Sequence, residues 1–223
     1  MRRDYIPKNG MVIYQQKGLF AFSMDSVLLG AYAKPRGRTL DLGCGSGYLA
    51  LMAAADADAV VALDREPEAA ELVRKSAAAN GIENIEAVTA DLRDAAVGRF
   101  DVVLTNPPFF KDGIRNKAAK ITAAKHLDDD MRWFFHAGRL TVPGGTVYGI
   151  VDIARFQDVI EDMNEGGLQL AHIRPVYWRG GEEARRLLFA AKKGGGRHLR
   201  MDRPLYIYEG TEYTREVAAY YGR

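Results

Sequence analysis

The sequence predicts an α/β protein with a doubly wound, mostly parallel sheet. Three observations lead to this prediction: apolar strand-like runs alternate with helical segments, several of those runs end in an acidic residue, and a glycine-rich turn follows one of them. Strands that alternate with helices form βαβ units, whose crossovers place the strands parallel. With 223 residues, 48% of them hydrophobic, the chain is long enough for one well-filled core.

Elements in the first half of the chain follow from apolar runs and from the residues that end them. Residues 59–64 form a continuous apolar run that ends in an acid, which is typical of a strand buried on both faces. Pro67 fits the first turn of a helix, because its missing N–H needs no partner there, and Gly81 accepts the left-handed conformation that closes it. The same reasoning predicts strands at 11–17, 39–43, 84–90 and 100–105, and helices at 27–33 and 49–55.

The second half repeats the alternation after a long connection. Residues 110–127 are polar and basic with no clear period, and functional loops often have this length. Asp128–Asp130 place negative charge at the start of the next helix, where the helix dipole favours it, and Trp133 is predicted to lie on the core face of that helix. Pro143–Gly145 are predicted to end it. A strand at 146–151, a helix near 154–165 and strands near 168–177 and 186–192 follow, before an unassigned tail from 194.

Composition excludes several classes of protein. Residues 1–10 lack the apolar stretch of a signal peptide, and no run approaches the roughly 20 apolar residues that span a bilayer. Cys44 is the single cysteine, so an internal disulfide and a cysteine-based metal cluster are excluded. We therefore expect a cytoplasmic protein with neither a metal site nor a membrane partner.

The net charge of +2 conceals an uneven distribution. Residues 111–125 carry five bases against one acid, and residues 174–203 carry nine bases against three acids. Such segregation favours either a basic face for a polyanion or two ordinary solvated stretches, and charge alone does not separate these readings.

A glycine-rich turn predicts a nucleotide-type cofactor site. A strand that ends in Asp41 is followed by Gly43, Gly45 and Gly47 and then by a helix, whose first N–H groups can bind an anion. Taken alone the turn also satisfies the pattern G-x-G-x-x-A of enzymes that bind nicotinamide or flavin dinucleotides, with Asp64 near the place of the ribose-binding acid.

Acidic residues at successive strand ends favour S-adenosylmethionine over a dinucleotide. The Asp41 carboxylate can reach a cation such as the methionine ammonium, Asp64 can accept hydrogen bonds from two ribose hydroxyls, and Asp91 can accept one from the adenine amine. Cys44 satisfies the need for a small residue inside the turn. No partner that would make Cys44 a nucleophile is evident in the sequence.

The acceptor site is predicted at Asn106-Pro107-Pro108-Phe109, directly after a strand. An adenine or amide nitrogen is a weak nucleophile, since its lone pair is delocalised. Two acceptors for its N–H hydrogens, the Asn106 side-chain oxygen and the Pro107 carbonyl, would localise that lone pair. The prolines stiffen the turn, and Phe109 can stack on a planar acceptor.

These two motifs together resemble class I S-adenosylmethionine-dependent methyltransferases of the N-P-P-[FY] type. Residues 18–29, with Phe22 and Asp25, and the C-terminal residues 187–192, 203–208 and 213–214 are similar to bacterial tRNA adenine-N6 methyltransferases, which modify the adenosine 3′ to the anticodon of a valine tRNA. The resemblance implies a Rossmann-like, seven-stranded sheet with an antiparallel final strand. It also implies that Phe22, Asp25 and Asn106 contact or cover the cofactor.

The resemblance implies a division into an extension over the cofactor (1–36), a methyltransferase domain (37–193) and a packed tail (194–223). Methyl transfer to N6 of an adenosine in tRNA is then the expected reaction. Four basic residues after the acceptor motif are expected to bind the tRNA phosphates: Lys111, Arg115, Lys117 and Lys120.

Three alternatives stay open at this point. A guanine-N2 methyltransferase of ribosomal RNA shares the acceptor motif, and so does a protein-glutamine N5 methyltransferase, although the latter carries a helical domain for which the segment before Gly43 leaves no room. A non-catalytic RNA-binding protein on the same scaffold is the third. Two departures from the family stand out: Phe109 replaces a frequent tyrosine, and leucine follows His126 where relatives have an acid.

Overall fold

The computed structural model describes residues 1–16, 21–107 and 132–223. The strands in these ranges are β1 (Arg2–Tyr5), β2 (Val12–Gln15), β3 (Arg38–Leu42), β4 (Ala59–Asp64), β5 (Ile85–Thr89), β6 (Phe100–Thr105), β7 (Thr141–Asp152), β8 (Leu168–Tyr177), β9 (Ala184–Lys193), β10 (Arg200–Met201), β11 (Leu205–Tyr206), β12 (Tyr208–Glu209) and β13 (Glu212–Tyr213). The helices are α1 (Met24–Tyr32), α2 (Tyr48–Ala53), α3 (Pro67–Ala79), α4 (Trp133–Leu140), α5 (Phe156–Glu165), which follows a 3-10 turn at Ile153–Arg155, and α6 (Arg215–Tyr220).

A nine-stranded sheet forms the centre of the described structure. Its strand order is β10-β8-β9-β7-β6-β3-β4-β5, and β11 also pairs with β8. Strands β3 to β7 pair in parallel, whereas β9 is antiparallel to both β7 and β8. The predicted doubly wound sheet with an antiparallel final long strand is therefore confirmed. The predicted count of seven is wrong by two, because the unassigned tail adds β10 and β11 to the edge of β8.

Helices cover both faces of the sheet and bury its apolar strands. Helices α1 and α2 lie over one core, together with Val217 of α6 and Ile13 of the N-terminal hairpin. Phe134 of α4 and Met163 of α5 belong to the core on the other face. Strands β4 and β5 lie on one side of β3, and the next strands in the chain, β6 and β7, lie on its other side, so the strand order reverses at β3. Ligands of such sheets bind at the carboxyl ends of the strands beside this reversal.

Two predicted boundaries need correction. Helix α1 begins at Met24 rather than Val27, because the Ser23 hydroxyl caps it by accepting a hydrogen bond from the Ser26 N–H (3.4 Å). Pro143–Gly145 do not end α4. They lie inside β7, where the pairing with β6 shifts register, so these residues form a bulge in a strand.

Other predicted boundaries are confirmed. Pro67 is the first residue of α3, and Gly81 has φ +65° just after the helix end. Strands β4 and β6 have the predicted bounds. Asp128–Asp130 lie outside the described residues. No helix in the described part of the chain is both long and apolar enough to cross a bilayer.

The N-terminal hairpin and the tail pack against the same side of the molecule. Asn80, which follows α3, accepts from the Val12 N–H (2.8 Å) and donates to the Val12 carbonyl (2.7 Å), so it substitutes for a strand partner of β2. In the tail, Glu216 of α6 receives two hydrogen bonds from Arg174 of β8, at 2.8 and 2.9 Å. Both extensions are thus tied to the central domain by side chains that could not be paired from sequence alone.

Candidate active site

The cofactor turn, residues 43–47, leaves β3 at its carboxyl end. Gly43, Gly45 and Gly47 all have positive φ, at +74°, +51° and +81°. The Gly43 and Cys44 N–H groups donate to the Leu63 carbonyl at 2.8 and 3.0 Å, which ties the turn to the end of β4. The space is also restricted, because a Cβ on Gly47 would lie 2.6 Å from a methyl carbon of Val73. Glycine is therefore required for conformation and for packing.

Asp41 lies under this turn and is 1% exposed. Its Oδ2 accepts the Ala50 N–H at 2.9 Å, in the first turn of α2, whose N-cap residue Gly47 has no side chain to do so. Burial raises the pKa of the Asp41 carboxyl to about 7, and the nearby charge of Asp64 adds to the rise. A cation placed beside Asp41 would favour its ionised form.

Asp64 ends β4 and faces the same turn. Its Oδ2 accepts the Gly45 N–H at 2.9 Å and its Oδ1 accepts the Glu66 N–H at 3.0 Å. Burial raises the pKa of this carboxyl, and the two backbone hydrogen bonds act in the opposite direction. Each oxygen keeps further acceptor capacity, because a carboxylate oxygen has more than one lone pair.

Asp91 follows β5 at the same edge of the sheet. Both of its oxygens accept hydrogen bonds from the Arg93 guanidinium, at 2.8 and 2.6 Å, and these bonds lower the pKa of Asp91 to about 2. The carboxylate is therefore ionised at neutral pH and already partnered. Its predicted contact with adenine stays a prediction.

The acceptor turn begins at Asn106, where β6 ends next to the cofactor turn. The Thr105 hydroxyl donates to the Leu42 carbonyl at 3.0 Å, so the last residues of β6 and β3 are joined. The Asn106 Nδ2 donates to the Ser26 Oγ at 3.2 Å. Pro107 is buried, and Pro108 and Phe109 lie outside the described residues. The same holds for Lys111, Arg115, Lys117 and Lys120.

Helix α1 brings further residues to this edge. Phe22, just before it, stacks on Tyr48 at the start of α2, with ring centroids 5.1 Å apart. The Asp25 carboxylate pairs with the Arg186 Nε at 3.1 Å, and the same guanidinium reaches Asp152 at 2.8 Å. These contacts hold the first turn of α1 against the ends of β7 and β9. The role of Phe22 and Asp25 in covering the cofactor stays a prediction.

Three residues near the site were not identified from the sequence. Ser26 was part of the predicted helix boundary, and Arg186 belonged to an undifferentiated basic stretch. Trp133, predicted on the core face of its helix, packs against that core and also lies against the cofactor turn, since a Cβ on Gly43 would lie 2.8 Å from its ring. Its indole N–H is buried and has no hydrogen-bond partner among the residues that the structure describes. Only the tertiary fold brings these three side chains to the motifs.

The cysteine inside the cofactor turn is a poor candidate for a nucleophile. Cys44 is buried, and burial raises its pKa well above the usual thiol value, so the thiolate is disfavoured. Among the residues that the structure describes, no three side chains of histidine, cysteine, aspartate or glutamate are grouped to hold a metal ion.

Comparison with known proteins identifies the family. The family model of the methyltransferase small domain matches residues 13–142, which include the cofactor turn and the described part of the acceptor turn. The chain belongs to this family. The prediction of a methyltransferase that uses S-adenosylmethionine as methyl donor is therefore confirmed.

Relatives of this methyltransferase small domain protein include two tRNA1(Val) (adenine(37)-N6)-methyltransferases. That of Phocaeicola vulgatus is 28% identical over 201 residues, which are 86% of this chain and 85% of the relative. That of Escherichia coli O157:H7 is 36% identical over 117 residues, which are 46% of this chain and 48% of the relative.

Solved structures of methyltransferases share the fold. A predicted O-methyltransferase from Agrobacterium tumefaciens superposes with a TM-score of 0.67 at 24% identity, over 88% of this chain and 95% of the other. The Thermus thermophilus 16S rRNA N2 G1207 methyltransferase, in complex with AdoMet and guanosine, superposes with a TM-score of 0.62 at 21% identity, over 86% of this chain and 50% of the other. At these identities the comparison supports the Rossmann-like class I fold.

Proposed function

We propose that this methyltransferase transfers a methyl group from S-adenosylmethionine to the exocyclic N6 of an adenosine in tRNA, next to the anticodon. The observation that carries the proposal is the carboxamide of Asn106, which lies beside the cofactor turn and donates through Nδ2 to Ser26. The two relatives, both named as tRNA adenine-N6 methyltransferases, supply the tRNA and the adenine. Methylation of such an amino nitrogen is the reaction expected of an N-P-P-[FY] motif.

The residues at the turn suit the donor. The turn formed by Gly43, Gly45 and Gly47 at positive φ, with Cys44 as a small neighbour, would accept the methionine part, and Asp41 below would favour its ammonium. The remaining lone pairs of Asp64 would accept the ribose hydroxyls, and Asp91 would face the adenine. The bound donor supplies an electrophilic methyl group on a sulfonium.

The N-terminal extension would cover this site. Phe22 stacks on Tyr48 at the start of α2, and Asp25 is anchored by Arg186. We therefore assign residues 1–36 to the cover of the cofactor, residues 37–193 to the methyltransferase domain and residues 194–223 to a tail packed on that domain.

The amide orientation of Asn106 explains how an amine would be activated. Because Nδ2 is directed at Ser26, the carboxamide oxygen points away from Ser26 and would accept an N–H of the acceptor. The Pro107 carbonyl would accept the second N–H. Two acceptors on one NH₂ pull the nitrogen toward tetrahedral geometry and raise the electron density of its lone pair, and the fixed turn orients it for direct transfer.

The target base must leave its stack to reach this turn. A nucleotide in a loop costs less to extrude than a paired one, which suits a position beside an anticodon. Phe109 would then stack on the base and Pro108 would stiffen the turn, an arrangement worth roughly 1–3 kcal/mol per stacked base. Lys111, Arg115, Lys117 and Lys120 would bind nearby phosphates.

A transfer assay tests the proposal. The protein is incubated with tritiated S-adenosylmethionine and, separately, unmodified tRNA, ribosomal RNA and a release factor, and labelled nucleosides or amino acids are identified. The expected product is N6-methyladenosine in tRNA. Label in N2-methylguanosine of ribosomal RNA, or in glutamine of the release factor, would replace the proposal with the corresponding alternative.

A variant at Asn106 tests the acceptor site. Asn106→Ala should lower the transfer rate at saturating S-adenosylmethionine by roughly 10²–10³-fold, comparable to removal of a group that stabilises a transition state. Asn164→Ala, on the exposed surface of α5, is the matched control and should retain the full rate. Full activity in Asn106→Ala would reject the acceptor site.

A further inference from the structure

The tail edge, residues 197–206, forms an open border of the central sheet. Strands β10 and β11 pair in parallel with β8 on one side, and the strand order places them at the end of the sheet. The sequence left this segment unassigned. In the structure most of its side chains are exposed along the border, which we call the strip, whereas Leu205 is buried and Asp202 is half-buried.

Unpaired positive charge is concentrated on this strip. Arg197, Arg200 and Arg203 are exposed, and none of these three side chains has a hydrogen-bond or ion-pair partner among the described residues. Asp202 is the one acid of the strip, and it is engaged by the Tyr32 hydroxyl at 3.3 Å and by His172 at 3.7 Å. The local field outside the strip is therefore positive, which attracts a polyanion.

Apolar and aromatic surface accompanies the charge. Six large hydrophobic side chains are exposed in the described residues, and three of them lie here: Leu199 (53%), Met201 (69%) and Tyr206 (41%). Tyr206 packs against Tyr177 of β8 with ring centroids 5.3 Å apart. Arginines beside an exposed tyrosine suit RNA whose bases are unstacked, because they bind phosphate and base together.

The strip leads toward the catalytic edge. Strand β11 runs parallel to β8 and ends level with Tyr177, at the carboxyl edge where Asn106 lies. Four strand spacings separate β11 and β6 in the sheet order β11-β8-β9-β7-β6, which is about 19 Å. Helix α1 connects the two places, since Ser26 near its start contacts Asn106 and Tyr32 at its end contacts Asp202.

An open edge has two other uses, and the strip suits both less well. Charges on an edge strand prevent aggregation, but that role does not call for an exposed tyrosine such as Tyr206. Edge pairing with a second copy of the chain needs a row of free N–H groups, whereas Pro204 interrupts the row between β10 and β11. Two copies would also bring the three unpaired arginines together.

We propose that the tail edge is an RNA contact of this enzyme, which binds phosphates and an unstacked base of the tRNA away from the target nucleotide. The proposal rests on the proposed function, since it takes tRNA as the acceptor. It concerns residues 197–206 at the border of the sheet, which are different residues from Lys111, Arg115, Lys117 and Lys120.

Charge reversal tests this contact. In the tail variant, Arg197→Glu, Arg200→Glu and Arg203→Glu are combined; in the control, Lys34→Glu, Arg36→Glu and Arg139→Glu are combined. The control residues are exposed and precede β3 and β7, so they lie at the amino ends of the strands, away from the catalytic edge. Both variants change the net charge equally. Circular dichroism melts and S-adenosylhomocysteine titration verify that each is folded.

The tail variant should bind tRNA at least tenfold more weakly than the control at 100 mM salt. The slope of log affinity against log salt concentration should be less steep by about 2–3 for the tail variant, because roughly 0.9 counterions are released per phosphate contact. The KM for tRNA should rise while kcat at saturating tRNA stays within twofold, and Tyr206→Ala should weaken binding by a smaller factor. Equal tRNA affinity of the two triple variants would overturn the proposal.

Two further outcomes separate this proposal from others. If the wild type methylates tRNA but the tail variant behaves as the control does, only the tail-edge proposal fails. If the wild type neither binds nor methylates tRNA, the proposed function fails and the tail-edge proposal with it. If light scattering finds a wild-type dimer that the tail variant disrupts, the edge is an interface between copies and the RNA proposal is overturned.

Discussion

The cofactor turn and the acceptor turn leave adjacent strands of one sheet, yet they are held in different ways. Around the cofactor turn, the hydrogen bonds of Gly43, Gly45 and Ala50 all join residues between 41 and 64, that is, one βαβ unit. At the acceptor turn, the side chain of Asn106 depends on Ser26, which lies 80 residues earlier in the chain.

This difference separates two kinds of sensitivity. The cofactor turn depends on backbone shape, so a single methyl group in the wrong place should disturb stability and ligand binding together. The acceptor turn depends on the direction of one carboxamide, so a substitution there should change the rate of transfer and leave the fold intact. Substitutions at Gly47, Asp41 and Ser26 test this separation.

The largest effect is expected at Gly47. Gly47→Ala combines positive φ with a clash against Val73, and should lower the free energy of unfolding by roughly 2–5 kcal/mol, with weaker S-adenosylhomocysteine binding. Gly81→Ala is the matched control, since Gly81 also has positive φ but nothing lies within 4 Å of its added Cβ; it should cost roughly 1–2 kcal/mol. Urea unfolding measures both. Equal losses would mean that packing on Val73 is unimportant.

A pH-dependent effect of intermediate size is expected at Asp41. Burial raises the pKa of its carboxyl to about 7, so the folded protein holds a proton that the unfolded chain releases near pH 4. Stability from this group is therefore present at low pH and is lost as pH rises toward 7. Between pH 5 and 8 the loss is roughly 2–3 kcal/mol, at 1.36 kcal/mol per pKa unit.

Asp41→Asn removes this titration and keeps an oxygen for the Ala50 N–H. Urea unfolding of both proteins, without ligand, should show their stability difference shifting in favour of the variant from pH 5 to pH 8. A difference that is constant over this range would contradict the raised pKa. The test concerns the cofactor turn alone, because the acceptor turn holds no group with such a shift among the described residues.

The smallest effect is expected at Ser26. Ser26→Ala removes the acceptor of the Asn106 Nδ2 bond, and a net hydrogen bond is worth roughly 0.5–1.5 kcal/mol, so kcat should fall by about two- to tenfold. Ser26→Thr keeps a hydroxyl and should restore most of the rate. S-adenosylhomocysteine affinity and thermal stability should stay unchanged in both, which distinguishes positioning of the amide from a structural role. An undiminished kcat in Ser26→Ala would contradict the positioning role.

The same division, between local contacts and contacts of residues far apart in the chain, explains which predictions from the sequence were correct. The cofactor turn and strands β4 and β6 were predicted within a residue or less, because glycine conformation, proline placement and apolar runs act over short stretches of chain. The Pro143–Gly145 error has a related cause. Those residues usually end helices, but a bulge in a strand accepts them equally well, and only pairing with β6 decides between the two.

What the sequence determined by itself was the order of the central strands and helices, the doubly wound class and the methyltransferase chemistry. Tertiary structure decided which distant side chains meet those motifs: Ser26 at Asn106, Arg186 at Asp25 and Trp133 at Gly43. It also decided that the tail adds β10 and β11 to the sheet as an exposed basic border. The physical reason is that backbone preferences are local, whereas contacts between residues far apart in the chain exist only once the sheet has set strand order and the helices have packed on it.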